Sequence, residues 1–190
     1  VMYMALVFLP LLISAVTPFS YRDILRASRS ALVTAFATGK VLIVLPLLID
    51  STHELFARIK HDSEDARLSV EVMYPLAYPF PSLGKVLTLI FIPFAAWFSG
   101  QALEIMAYPA RLVAGLFSMF GGPVVAIPFL LDMQRLPGDL FQLFIASGVW
   151  TARVGDLLSA MHLVAIAVIT TSAMVGLMRA RWGAIVRLLV

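Results

Sequence analysis

The sequence predicts an all-α membrane protein with three transmembrane segments and two re-entrant helical hairpins. Three observations carry that expectation. Of the 190 residues, 61% are hydrophobic and 13% charged, where a soluble domain carries about a quarter charged residues. The apolar residues gather into five long stretches, and a helical bilayer crossing needs about 20 residues. Two of the stretches break at their centres, where a charge or an irregular backbone is tolerated only against protein or a watery cavity.

The elements follow in chain order. Residues 1–18 form the first span. It begins at Val1 inside an apolar run with no basic leader, and the chain ends on Val190 without a stop signal, so a longer natural protein is expected. Residues 30–49 are apolar but interrupted by Thr38, Gly39 and Lys40. Each half is about ten residues, too short to cross at ~1.5 Å per residue, and the pair is read as hairpin 1. Residues 70–100 are a span broken by Pro75, Pro79, Pro81 and Gly84. Residues 108–131 are split by Gly121, Gly122 and Pro123 and form hairpin 2. Residues 140–178 are the final span, too long for one straight crossing, with Arg153 and Asp156 about a third of the way in. A basic segment (Arg22, Arg26, Arg29), a polar loop (residues 50–67) and a polar link (residues 132–139) join these parts.

For each hairpin the alternative is an ordinary kinked span, and charge placement discriminates. With hairpins, Arg22, Arg26, Arg29, Arg58, Lys60, Arg67, Arg179, Arg181 and Arg187 share one side, and Arg111 and Arg135 keep the other. Full spans would cancel the bias. Nine against two marks the cationic side as cytoplasmic, and the expected location is the bacterial inner (plasma) membrane.

Other classes are disfavoured. No cysteine is present, which removes disulfides and thiolate metal sites. The net charge of +3 is modest and sits in loops, unlike the basic face of a nucleic-acid binder. No phosphate-binding glycine loop and no nucleophile–base spacing occur, so no catalytic residue and no enzyme is expected. His53, Glu54, His61, Asp62, Glu64 and Asp65 read as a solvated loop rather than a metal site, and no cofactor is expected.

The chemistry-bearing candidates lie at the breaks. Lys40, beside Thr38 and Gly39, sits where two short helices meet. It either holds an anion with a helix N-terminus, replaces a bound cation, or snorkels to water. Lys85 follows the proline-rich break, where it either stands in for a cation, pairs with an acid or is exposed in a vestibule, and two lysines facing one cavity repel unless an anion lies between them. Gly121, Gly122 and Pro123 form the second tip. Arg153 and Asp156 are i,i+3 on the final span and are expected to pair with each other; the other role for Arg153 is to grip a carboxylate with both arms of its guanidinium. His162 lies about 600° further round the helix from Asp156 and reads as a packing histidine or a proton relay.

The order of parts resembles the C-terminal core of the dicarboxylate/amino acid:cation symporters, the sodium:dicarboxylate or glutamate-transporter-like family. Its first hairpin reads AFxTxSSxATLP, and here Ala35, Phe36, Thr38, Leu45 and Pro46 keep the frame. Its next span opens LPL and breaks at NMDGT, where this chain has Tyr74-Pro75-Leu76 and then Pro81-Ser82-Leu83-Gly84-Lys85. Its second tip, GxPGxG, is matched by Gly121-Gly122-Pro123, and its Leu-Pro before the last span by Leu136-Pro137. The resemblance implies a secondary transport core for small anionic solutes such as dicarboxylates or amino acids, trimeric, with hairpin 2 as gate. A non-transporting sensor or anchor of the same fold, fused to a solute-binding domain, is the alternative. The departures are specific. Lys40 and Val41 replace the serine pair. Pro81, Leu83 and Lys85 stand where NMDGT has Asn, Asp and Thr. Ala152, Gly155, Asp156, Ser159 and Leu163 stand where the last span has Asp, Arg, Thr, Asn and Asp. With the oxygen ligands a hard cation needs largely gone, sodium coupling is not expected at the family's sites.

Overall fold

Helix signals dominate the chain at the level of individual turns. Ser20 caps the first turn of one helix by accepting the Asp23 amide, and Ser63 and Ser82 do the same for Ala66 and Lys85, the usual work of an N-cap serine. Gly39 closes a helix in the left-handed region, at φ 61°, where a Cβ is disfavoured. Gly122, at φ 78°, precedes Pro123 in the first turn of another. The computed structural model describes residues 1–61, 63–101 and 108–179, without the side chains of Tyr108, Ala110 and Arg111. Asp62, Arg181, Arg187 and the Arg111 side chain, all used in the charge argument or the loop reading, lie outside that description.

Among the described residues the fold is all-helical. A π turn at Met4–Phe8 runs into α1 (Leu9–Val16). Then come α2 (Tyr21–Thr38), α3 (Val41–Arg58), α4 (Glu64–Ala77) and the short α5 (Leu83–Leu87), which continues through a 3-10 turn into α6 (Phe91–Phe98). The chain proceeds through α7 (Tyr108–Ser118), a 3-10 turn at Met119–Gly121, α8 (Pro123–Met133) and the 35-residue α9 (Leu140–Met174). Among the described residues only α9 is long and apolar enough to cross a membrane by length and composition, and the shorter apolar helices run to 10–17 residues.

The breaks fall at Gly39–Lys40, at residues 78–82 and at Gly121–Gly122. The arms around the first break are longer than its apolar stretch suggests, 18 residues each. The Ser20 cap starts α2 ahead of its arginines, and buried Ile24, Ser28, Ala31, Leu32 and Ala35 keep helical spacing through them. The same spacing carries α3 through Thr52, Leu55 and Phe56. The expected polar loop at 50–67 is therefore corrected: its first nine residues are helix, and α4 resumes at Glu64. The arms at the second break, α7 and α8, are 11 residues each. The final segment is one unbroken helix that ends at Met174.

Helix α9 runs through two separate cores. Its second half packs with α1 to α4, around Ile13, Phe19, Leu48, Phe56, Tyr74 and Met161. There Phe19 meets Phe56 edge-on at 5.0 Å, and Tyr74 shares a 2.7 Å hydrogen bond with Thr52. Its first turns pack with α6 and α8, around Ala95, Met119, Ile127 and Phe144. Between the two cores α5 crosses α9 with the backbones in contact. A Cβ built on Gly84 would lie 1.8 Å from the Gly155 carbonyl oxygen and 2.3 Å from Ser159 Oγ, whereas one on Gly148 meets nothing within 4 Å.

The two glycines predict effects of opposite sign. Gly84→Ala forces two backbones apart and is expected to cost at least the ~1–3 kcal/mol of core overpacking. Gly148→Ala, in an open helical position, is expected to stabilise by ~0.5–1 kcal/mol. Thermal or denaturant unfolding of the purified variants reads both.

Candidate functional site

The glycine crossing sets what lies at the centre of the molecule. Because α5 touches α9 at Gly84, the neighbours Ser82 and Lys85 are delivered beside Ser159 and Asp156. Ser82 Oγ and Ser159 Oγ, both buried, share a 2.7 Å hydrogen bond. One turn along, the Leu83 amide donates to His162 Nδ1 at 3.4 Å, so the histidine seals the start of α5. Lys85 lies over the Tyr78 ring at 5.3 Å, a placement that favours a cation.

Two cavities flank this crossing. The first, of about 260 Å³, is lined by Gly39, Lys40, Tyr78, Lys85, Asp156 and Ser159. The second, of about 300 Å³, is lined by Lys85, Thr88, Pro123, Thr151 and Asp156. Lys85 and Asp156 belong to both, and the Lys85 charge acts on the Asp156 carboxylate. Each cavity also receives the N-terminus of a helix that follows a tip. Helix α3 begins after Lys40 with no side-chain cap, and α8 begins after Gly122, again uncapped. Amides free at such ends attract negative charge. The first cavity thus combines two ammonium groups, one carboxylate and a helix N-terminus, a set suited to a small solute with at least one carboxylate.

The ten residues singled out from the sequence divide accordingly. Gly39, Lys40, Lys85, Asp156 and Ser159 meet in the first cavity, and Pro123 reaches the second. Thr38 lines neither: its hydroxyl donates to the Thr34 carbonyl at 2.8 Å and accepts the Lys40 amide at 3.4 Å, which shapes the tip. Gly121 and Gly122 shape the other tip without lining either cavity. The expected Arg153–Asp156 pair is corrected. Arg153 packs its stem beside Gly39 and lays its guanidinium over Trp150 at 5.7 Å, while Asp156 lines both cavities with Lys85. Three positions separate the two residues by about 60° on a helix, enough to face different neighbours. Among the described residues the ion pair formed is Arg58–Glu54, at 2.6 Å on α3. No group of three metal-ligating side chains occurs among the described residues. Sequence reasoning missed Tyr78, Ser82 and Thr88 as site residues; a serine that opens a helix directly after two prolines was the available signal for Ser82.

No protein-family model, curated protein or solved structure gives a match to this chain.

The serine pair yields a direct test. Ser82→Ala removes the cap of α5 and strands the Ser159 hydroxyl, with an expected cost of ~1 kcal/mol for the cap and ~1–3 kcal/mol for the orphaned group. Ser159→Ala leaves the cap intact and is expected to cost less. A double-mutant cycle on unfolding free energy should show the two changes to be non-additive.

Proposed function

We propose that the chain is a transport-type core of an integral membrane protein, resembling the dicarboxylate/amino acid:cation symporters, and that the cavity beside the first tip takes small anionic solutes. One observation carries the reading: Lys40, Lys85 and Asp156, from three separate segments, line one cavity between two helix breaks. Charged groups and broken helices at one depth are the usual construction of a transporter site.

The surface supports the membrane part of the reading. Leu68, Val72 and Leu76 on α4, Trp97 and Phe98 on α6, Val124, Val125 and Phe129 on α8, and Val149 and Trp150 on α9 are large, apolar and exposed. A soluble monomer rarely leaves so many large apolar side chains open. On this reading α9 crosses the bilayer, and α2–α3 and α7–α8 are the two hairpins. The first and broken segments complete three spans, and the cationic loops are cytoplasmic. Assembly as a trimer belongs to the same proposal.

The two lysines explain the lost oxygen ligands. Each puts a permanent positive charge beside the solute, so an anion is neutralised without a bound metal ion. Uptake of the solute into proteoliposomes is therefore expected to persist when sodium is replaced by choline. A steep, saturable sodium requirement would overturn that.

The anion role of Lys40 has its own readout. Lys40→Met leaves an exposed position at the head of α3, and the unliganded protein should be as stable as before. Its stabilisation by a panel of dicarboxylates and amino acids should weaken. A tenfold loss of affinity corresponds to roughly 1.4 kcal/mol at saturating ligand. An unchanged ligand response would remove Lys40 from the site.

A further inference from the structure

Away from the central cavities, a groove opens between the N-terminal segment with its π turn and α2. Its volume is about 390 Å³, and its walls are Met2 and, from the π turn, Leu6, with Leu25, Val33 and Phe36 from α2. The one charged side chain among its lining residues is Arg29. Tyr21 pins α2 to the π turn at this place, its hydroxyl donating to the Leu6 carbonyl at 2.7 Å.

The charge along α2 is graded. Arg22, Arg26 and Arg29 are all exposed, and their i, i+4, i+7 spacing sets them on one helix face. That face adjoins the side carrying Leu25, Val33 and Phe36. Past Arg29 the groove is apolar toward the Gly39 tip. A ligand that fits this gradient has a negatively charged head and a hydrocarbon tail.

We propose that this groove binds one anionic phospholipid, its phosphodiester against Arg29 with Arg22 and Arg26 beside it, and an acyl chain along Leu25, Val33 and Phe36. A free phosphate satisfies only the arginines and leaves the apolar wall open. A neutral lipid satisfies only the wall. Basic positions between helices at the cytoplasmic side are where anionic headgroups gather. The assignment rests on the membrane reading above, but it uses none of the residues of the central cavity.

The test uses the full chain, first in carbonate-washed membranes and then purified in a neutral detergent. Thermal unfolding is followed with added phosphatidylglycerol, phosphatidylcholine or inorganic phosphate. Phosphatidylglycerol should stabilise the wild type at a concentration at least tenfold below that needed for phosphatidylcholine, and phosphate should have no effect. Arg29→Gln should erase that preference, and Val33→Trp, which fills the groove without altering charge, should weaken it. Both variants should keep the ligand response governed by Lys40. Equal stabilisation by the two lipids, an unchanged preference in Arg29→Gln, or the same shift with phosphate would overturn the lipid site alone. Release of the chain into the carbonate wash would overturn the membrane reading and the lipid site with it.

Discussion

The contact of Gly84 with Gly155 is the constraint on which the rest of the structure depends. Two helix backbones meet where any Cβ on Gly84 would enter the opposite carbonyl. Only that approach brings Ser82 within hydrogen-bonding distance of Ser159 and lets His162 receive the Leu83 amide. It also holds Lys85 and Asp156 in the walls of the same two cavities. Small residues at a crossing exchange side-chain burial for backbone proximity, and backbone proximity is what places short polar side chains face to face. The polar centre is therefore a consequence of packing at two glycines rather than of any strong ion pair.

The electrostatics of that centre follow from the count of charges. Lys40 and Lys85 bring two positive charges to the first cavity, and Asp156 brings one negative. The excess is positive, and the uncapped start of α3 adds to it. Lys40 is exposed and Lys85 half-buried, and like charges facing one cavity repel less with an anion between them. On the proposed function a carboxylate solute would lie between the two lysines, and the Asp156 carboxylate could take an ammonium group of the same solute. The Tyr78 ring lies 5.3 Å from the Lys85 ammonium, and an aromatic face steadies a cation there.

The helix breaks were legible because they depend on local chemistry. Gly39 takes a left-handed backbone, and the Gly122–Pro123 step combines positive φ with a residue that donates no hydrogen bond. Neither needs tertiary information. The lengths of α2 and α3 were misread because polarity was taken for loop. Arg22, Arg26 and Arg29 lie on the outer face of a helix whose other face carries Ile24, Ala31 and Ala35, and only the 3.6-residue spacing reveals it. Lys40, Lys85, Asp156 and Ser159 were found as isolated oddities in apolar stretches. That they share a cavity was not legible, because it depends on the angle at which α5 meets α9. The Arg153–Asp156 pairing failed for the same reason: a spacing along one helix cannot weigh Trp150 and Lys85, which compete for the two charges.

The division of the apolar core bears on mechanics. The larger core joins α1 to α4 with the second half of α9, and the smaller joins α6 and α8 to its first turns. Both cavities lie at the boundary, where α9 passes from one core to the other. Close-packed cores resist deformation, whereas the boundary between two of them is the place where rigid units can shift. On the transport reading, the second tip then moves with the smaller core while the first tip stays with the larger. Lys85 and Asp156 sit on the elements that join the two. On the same reading, a solute bound to them would touch the elements that join the two cores, and its charge could bias the position of the smaller one. That coupling requires a solute with differential affinity for the two arrangements, and Lys85 and Asp156, which line the cavity beside each tip, are the groups through which one could act.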